Sequence, residues 1–236
     1  LGGYWYFEVI TGNSVNDLSG NKYNGTLTNG VQRTVANTNL IIRPEGKALF
    51  FDGVNDYISL NSQPKIETTS SLTIEAWIKV KNFGDWDGIV TQGTNSSPFA
   101  MQLWSDGSLR FTASGVSWNS DKKIVANEWH HVSVTYDKTA NFLTFYIDGQ
   151  VAGTKDNVNI NLWKSNEPLI IGADLPGGDE FFDGSLDEVR VWNVARTQAE
   201  IQANINQKLS GNEQGLVGYW NFEETSGHII NDLTAN

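Results

Sequence analysis

The chain has no cysteine, which excludes disulfide staples, zinc–thiolate centres and thiol catalysis together. It has no apolar run approaching the ~18 residues that cross a bilayer. No signal-peptide pattern opens it, and it begins in mid-pattern, as expected of a piece of a longer protein. Basic residues are few, with 16 Lys and Arg against 27 Asp and Glu for a net charge of −11. That sign repels phosphate backbones and anionic headgroups, so neither nucleic acid nor membrane insertion is expected. Histidine is scarce too, and His130 and His131 are adjacent, so in a strand they face opposite ways and cannot chelate one metal. No nucleophile motif, phosphate loop or histidine–carboxylate constellation is present, and catalysis is not expected.

What the chain does have is apolar content of 39% with 11% aromatics, enough for a sizeable core. Its 23 glycines are spread out, which fits many short turns. Leu72, Ile74, Ala76, Ile78 and Val80 alternate along one strand face. Further strand signals follow at 48–51, 57–60, 88–92, 99–104, 109–112, 129–136, 142–147, 150–154 and 169–171, punctuated by Asp106-Gly107 and Asp148-Gly149 turns. So many short strands leave little room for a parallel α/β fold. Two packed antiparallel sheets are expected, an all-β jelly-roll sandwich with one short C-terminal helix. A chain of 236 residues is within the range of one such unit.

The clearest local pattern is the closing strand at 184–193, with apolar Leu186, Val189, Val191 and Trp192. A helix start follows it. Thr197 and Glu200 have capping-box spacing, and Ile201, Ile205 and Leu209 share a helical face.

The chain also repeats itself. Gly3-Tyr4-Trp5-Tyr6-Phe7-Glu8 returns as Gly218-Tyr219-Trp220-Asn221-Phe222-Glu223, and Asn16-Asp17-Leu18 returns as Asn231-Asp232-Leu233, at an ungapped offset of 215 positions. Residues 1–215 are therefore expected to form one domain, with 216–236 the first strand and loop of a following tandem repeat. An apolar strand of that kind must pack, either at the edge of this sandwich or on a neighbouring copy.

Several segments together carry a resemblance: Tyr4-Trp5-Tyr6-Phe7-Glu8, Asn16-Asp17-Leu18-Ser19-Gly20-Asn21, the run Phe50-Phe51-Asp52-Gly53-Val54-Asn55-Asp56-Tyr57, the strand at 72–78, Glu128-Trp129-His130-His131, Tyr146-Ile147-Asp148-Gly149 and the run at 184–193. In this order the chain resembles the laminin-G-like, concanavalin A-like lectin superfamily, in its bacterial LamG-like jelly-roll branch related to the pentraxins. The resemblance implies a two-sheet jelly roll, usually extracellular or at a (bacterial) cell surface, often in tandem and often holding a structural calcium ion. It implies a non-catalytic recognition or adhesion module whose partners are a glycan or extracellular protein and neighbouring copies of the repeat. The alternative is a structural repeat of a surface fibre, sheath or giant adhesin, assembling through its terminal strands. Fold alone does not decide between them.

Candidate sites follow from donor chemistry. Calcium takes six to eight oxygen ligands, and Asp17, Asn21 and Asn24 offer them in one glycine-containing loop, with Asp187 a further carboxylate from the closing strand. An ordinary Asx-rich turn is the plain alternative. Asp174, Asp179 and Asp183, with Glu180, form a second acidic rim before the closing strand, where a solvated loop is the alternative. Asp52, Asn55 and Asp56 read as hairpin-shaping. Of the nine tryptophans, Trp5, Trp77, Trp129, Trp192 and Trp220 sit in strand patterns and are expected in the core. Trp86, Trp118 and Trp163 sit in polar stretches and are the candidate sugar platforms, or else cover sheet edges. Glycosidase chemistry needs two converging carboxyls. Glu75 stands alone in its strand, while Asp187 and Glu188 are sequential and face opposite sides in a regular one.

Overall fold

The computed structural model describes residues 14–15, 25–26, 42–60, 71–92, 99–160, 162, 168–174, 180–225 and 230–234. The chain divides into two compact units, Leu1–Leu40 and Ile41–Asn236. In the first, β1 (Ser14–Val15) pairs antiparallel with β2 (Gly25–Thr26).

The second unit is the expected sandwich. Its seven-stranded sheet joins β3 (Leu49–Asp52), β5 (Leu72–Asn82), β10 (His130–Asp137), β11 (Phe142–Ile147), β12 (Gln150–Lys155), β14 (Asp183–Trp192) and β15 (Leu216–Trp220). The order runs β12-β11-β10-β5-β14-β15, and β3 shares the outer edge of β14 with β15. Its six-stranded sheet runs β4-β13-β6-β7-β8-β9, from β4 (Ile58–Leu60), β6 (Asp87–Gln92), β7 (Phe99–Leu103), β8 (Ser108–Ala113), β9 (Val116–Lys123) and β13 (Leu169–Ile171). Every pairing is antiparallel.

The alternation read from the sequence sets the core. Leu72, Ile74, Ala76, Ile78 and Val80 of β5 meet Phe99, Met101, Leu109 and Phe111 of the opposing sheet in one buried cluster. Each of these side chains but Ala76 contributes roughly 1.5–3 kcal/mol by leaving water. Asp148 and Gly149 both take positive φ, 52° and 67°, as a two-residue hairpin turn demands. The Asp148 carboxylate also accepts the His131 N–H at 3.0 Å and meets His130 Nδ1 at 2.8 Å, which ties the turn to β10.

The other face of β5 is buried as well, because α1 (Gln198–Asn204) covers it. The capping box forms as expected: Thr197 Oγ1 accepts the Glu200 N–H, and Glu200 Oε2 accepts the Thr197 N–H at 2.7 Å. Ile201 and Ile205 face inward, and the Ile205 carbonyl accepts the Trp77 indole N–H at 3.0 Å. The strand at the start of the repeated segment pairs with β14 inside this unit, the first of its two expected placements. No helix among the described residues is long and apolar enough to cross a membrane.

Candidate functional site

The outer face of the six-stranded sheet carries a polar stripe, buried at Gln102 and partly exposed at Arg110, Thr112 and Asn119. Gly88, Gln102, Arg110 and Asn119 lie opposite one another across β6, β7, β8 and β9. Their neighbours Met101, Leu109 and Phe111 point into the core, so Gln102, Arg110 and Asn119 face outward. Arg110 Nη1 donates to Asn119 Oδ1 at 3.2 Å, and Thr112 Oγ1 donates to Gln102 Oε1 at 2.9 Å. Thr112 also lies 2.8 Å from the Ser117 hydroxyl.

At one end of this polar stripe stand two indoles. Trp86, from the loop entering β6, meets Trp104, at the exit of β7, edge to face with ring centroids 5.1 Å apart and planes at 84°. The Arg110 guanidinium lies 4.0 Å from the Trp86 ring centre and 4.4 Å from that of Trp104, a doubled cation–π contact. Loss of water around it lowers the Arg110 pKa, and Asp85 opposes that shift.

Trp86 reaches this position in a left-handed backbone conformation, φ 70°, which costs a bulky residue roughly 1–3 kcal/mol. Its neighbours hold it there. Asp87 Oδ2 accepts the Gly84 N–H at 2.6 Å, and Asp85 Oδ1 accepts the Ser105 N–H at 3.3 Å. Burial pushes the Asp87 carboxyl up to about 6, with the Gly84 N–H drawing it back and Asp183, Asp85 and Glu180 adding to the rise.

The connection from β13 to β14 lies over the same sheet. A methyl group on Gly88 would fall 2.0 Å from the Ala173 carbonyl carbon, so only glycine lets that backbone approach. Thr91 Oγ1 donates to the Ala173 carbonyl at 2.9 Å, and the Asp174 N–H donates to the Glu180 carbonyl at 3.0 Å. The Asp174 carboxyl is hydrogen-bonded to the Glu180 carboxyl and the Gln102 carboxamide, and burial followed by the Glu180 charge raises its pKa well above the usual carboxylate range. Two neighbouring carboxylates disfavour each other's ionisation.

The sequence candidates distribute unevenly over this face. Trp86 and Asp174 belong to it. Asp183 sits on the other sheet, held by Asn82 Nδ2 at 2.6 Å and Lys81 Nζ at 3.5 Å. Trp118 lies opposite Phe111 and packs against the core. Asp179 and Trp163 fall outside the described residues, as do Asp17, Asn21 and Asn24. The repeat partner of Asp17, Asp232, accepts the Tyr219 and Thr234 N–H groups at 3.1 and 2.9 Å. Sequence reading passed over Trp104 and Arg110; the Asp106-Gly107 hairpin after Trp104, which folds β8 back beside β7, was the available signal.

The outer face of the seven-stranded sheet gathers charge of a different kind. Here the strict alternation expected of the closing strand fails. Glu188 takes φ 51° and the register slips between Asp187 and Arg190, a β-bulge that turns Asp187 and Glu188 to the same side. Glu75 Oε1 accepts the Trp192 indole N–H at 2.9 Å and Arg196 Nη1 at 3.1 Å. Glu188 Oε2 accepts Arg190 Nη2 at 2.6 Å and the Tyr219 hydroxyl at 2.8 Å. His131 lies 3.7 Å from Glu75, and its complete burial pushes it down to about 4, so it is neutral at pH 7. Asp187 pairs with Arg43, which stacks on Trp129, and its other oxygen accepts the Glu188 N–H. Burial lifts Asp187 to about 6 against the pull of Arg43. Glu75, Asp187 and Glu188 are 0%, 2% and 1% exposed, so this convergence of acids offers no substrate-sized opening. The Asp187 oxygens are engaged by an arginine and a backbone N–H, an environment that does not fit a calcium ligand. Among the described residues no three metal-ligating side chains gather at one point.

Comparison with known proteins places residues 52–202 within the family model Laminin_G_3, described as the concanavalin A-like lectin/glucanases superfamily. A candidate carbohydrate-binding protein from Bacteroides ovatus superposes with a TM-score of 0.66 at 26% identity, covering 78% of this chain and 54% of that one. Domain 4 of AbnA, an extracellular arabinanase of Geobacillus stearothermophilus solved with arabinotriose, superposes with a TM-score of 0.55 at 19% identity, covering 69% of this chain and 77% of the domain. Adhesion G-protein coupled receptor V1 of Danio rerio is 24% identical over 196 residues, which is 75% of this chain and 3% of the receptor. The chain thus spans a small fraction of that receptor and about half of the Bacteroides protein.

Proposed function

Because the chain belongs to the concanavalin A-like lectin/glucanases superfamily, we propose that its sandwich is a non-catalytic glycan-recognition module working outside the cell. Trp86, Trp104 and Arg110 form the sugar platform. The observation that carries this reading is the pair of indoles fixed edge to face over one guanidinium, with Trp86 held at a strained φ of 70°. Backbone strain of that kind persists where the surroundings over-determine it. Sugar rings present apolar C–H faces rimmed by hydroxyls. An indole face next to the partly exposed Arg110, Thr112 and Asn119 donors and acceptors meets both needs at once. The resemblance to the Bacteroides carbohydrate-binding protein supports the same class of ligand.

Calcium enters this reading at the rim. Burial and the Glu180 charge disfavour ionisation of Asp174, and a hard cation bound there would favour it. Asp187 takes no part, since Arg43 already neutralises it.

A broad glycan array, followed by calorimetry on each hit with and without chelator, tests the proposal. Binding that falls at least tenfold in both Trp86→Ala and Trp104→Ala supports it. An empty array, or hits indifferent to both substitutions, overturns it. Affinity unchanged by chelator removes calcium and leaves the platform standing.

A further inference from the structure

The outer edge of β14 is divided. Asp183–Leu186 pairs with β3, and Val189–Trp192 pairs with β15. The second half is a slot for one strand, and what it recognises can be read off. Tyr219 lies opposite Arg190 and gives its hydroxyl proton to Glu188 at 2.8 Å, while the same oxygen accepts the Leu209 N–H at 3.2 Å. Trp220 and Phe222 are buried in the main core, and Leu216 packs on Trp192. Glu223 pairs with Lys208 at 2.7 Å. The segment then doubles back, so that Asp232 Oδ1 accepts the Tyr219 N–H and the Leu233 N–H donates to the Tyr219 carbonyl.

Every one of these recognised residues recurs 215 positions earlier: Leu1, Tyr4, Trp5, Phe7, Glu8, Asp17 and Leu18. Over residues 216–224 the copies differ at Val217, Asn221 and Glu224, which are Gly2, Tyr6 and Val9 in the first copy. The Asn221 and Glu224 side-chain bonds go to Glu223 and Asn231, within the segment itself, so those changes cost the slot nothing. One difference does cost packing, the buried Val217 replaced by Gly2. The chain carries the slot-filling sequence twice.

We propose that residues 1–8 of one copy fill the β14 slot of another, so that copies join by strand exchange along the seven-stranded sheet. The resident β15 holds the advantage of being tethered, an effective concentration on the order of millimolar. Exchange is therefore decided when strands compete during folding at high protein concentration, or where β15 is weakened. The glycan-binding platform lies on the other sheet and is untouched by it.

The absence of cysteine makes the test clean. The full chain carrying Gly3→Cys and Val191→Cys, alone and with Trp220→Ala, is unfolded in urea, refolded concentrated and oxidised. Gly218 lies opposite Val191, so Gly218→Cys with Val191→Cys is the control that closes within one chain. Expected are disulfide-linked dimers and longer species from the Gly3 pair, more abundant with Trp220→Ala, against monomers from the control. A Gly3 thiol that stays free, or bonds only within its own chain while the control closes, overturns the proposal. Should Trp220→Ala fail to refold, the otherwise unmodified chain is refolded with excess biotinylated peptide of residues 1–9. Capture that is lost when Tyr4 and Trp5 are replaced by Ser supports exchange. No capture, or equal capture of a scrambled peptide, overturns it.

Discussion

The two sheets treat their polar outer faces in opposite ways. On the seven-stranded sheet, Glu75, Glu188, Arg190 and Arg196 are sealed beneath α1 and answer one another's charges. On the six-stranded sheet, Trp86, Trp104, Arg110 and Asn119 remain half-exposed. Charges taken out of water need partners and a cover, and a face that has both is finished as a structure. A face that keeps hydrogen-bonding groups and aromatic rings in reach of solvent still has something to bind. The comparison makes acidity a poor guide to function in this chain. The densest convergence of carboxylates is internal scaffolding, and the candidate site is built around an arginine.

The largest effect is expected from breaking the sealed face. Glu75→Ala removes the acceptor shared by Arg196 and the Trp192 indole and leaves buried cations uncompensated. Loss of one partner in such a network costs about 3–5 kcal/mol, read as a drop in the urea midpoint with little change in slope. A loss below about 1 kcal/mol would mean that water, not Glu75, neutralises these arginines.

The open face should respond in the reverse sense. Trp86→Gly deletes the platform but relieves the positive φ, so strain release offsets the lost contacts with Trp104 and Arg110. Stability should stay within about 1 kcal/mol of the parent, while affinity for any array hit falls tenfold or more. Calorimetry beside urea unfolding separates the two. A strongly destabilised variant would make Trp86 a structural residue and dissolve the contrast between the faces.

How much of this was legible in the sequence follows from which contacts are local. The alternation of β5, the Asp148-Gly149 turn and the Thr197–Glu200 capping box are short-range patterns, and each appears where it is expected. Trp86 stood out because its neighbours are polar. Trp104 and Arg110 were hidden because their meeting depends on the register of β7 with β8 and on a loop some twenty residues upstream of each strand pair. Trp118 shows the other expected outcome: its neighbours are polar, but it lies on the edge strand β9 opposite Phe111 and covers that edge of the core. The bulge at Glu188 uses a non-glycine residue at positive φ, so no glycine marked it. That unmarked bulge is what turned two sequential acids onto one face.

The pH dependence of stability should divide by group more than by sheet, because burial raises Asp187 of the seven-stranded sheet to about 6 just as it raises Asp87. On the open face, Asp87 titrates near 6 and Asp174 is raised. For a raised carboxyl the native state binds the extra proton, so the stability it supplies is full below about pH 4 and is lost as pH rises through the folded pKa. On the sealed face, His131 titrates near 4. There the unfolded chain binds the extra proton, so stability is full above about 6.5 and is lost as pH falls toward 4. Asp174→Asn should therefore flatten the decline between pH 4 and 7, and His131→Asn should flatten the decline on the acid side. Urea midpoints across that range check both. A slope unchanged by Asp174→Asn would show that burial and Glu180 do not raise the Asp174 carboxyl.

The smallest expected effect concerns the cover itself. α1 spans only Gln198–Asn204, too short to persist on its own, and its first turn depends on the Thr197–Glu200 reciprocal bonds. Thr197→Ala should cost about 1 kcal/mol. The loss matters for where it is felt. The Arg196 guanidinium donates to the Glu200 carbonyl as well as to Glu75, so fraying of the first helical turn opens the charged network to water before the sandwich unfolds. Hydrogen exchange should then quicken at the Trp192 and Trp77 indoles and at the α1 amides, while the amides of β6, β7 and β8 keep their protection. Uniform acceleration over both sheets would mean that the helix is coupled to the whole core, and that the sealed face is not the separate layer its chemistry describes.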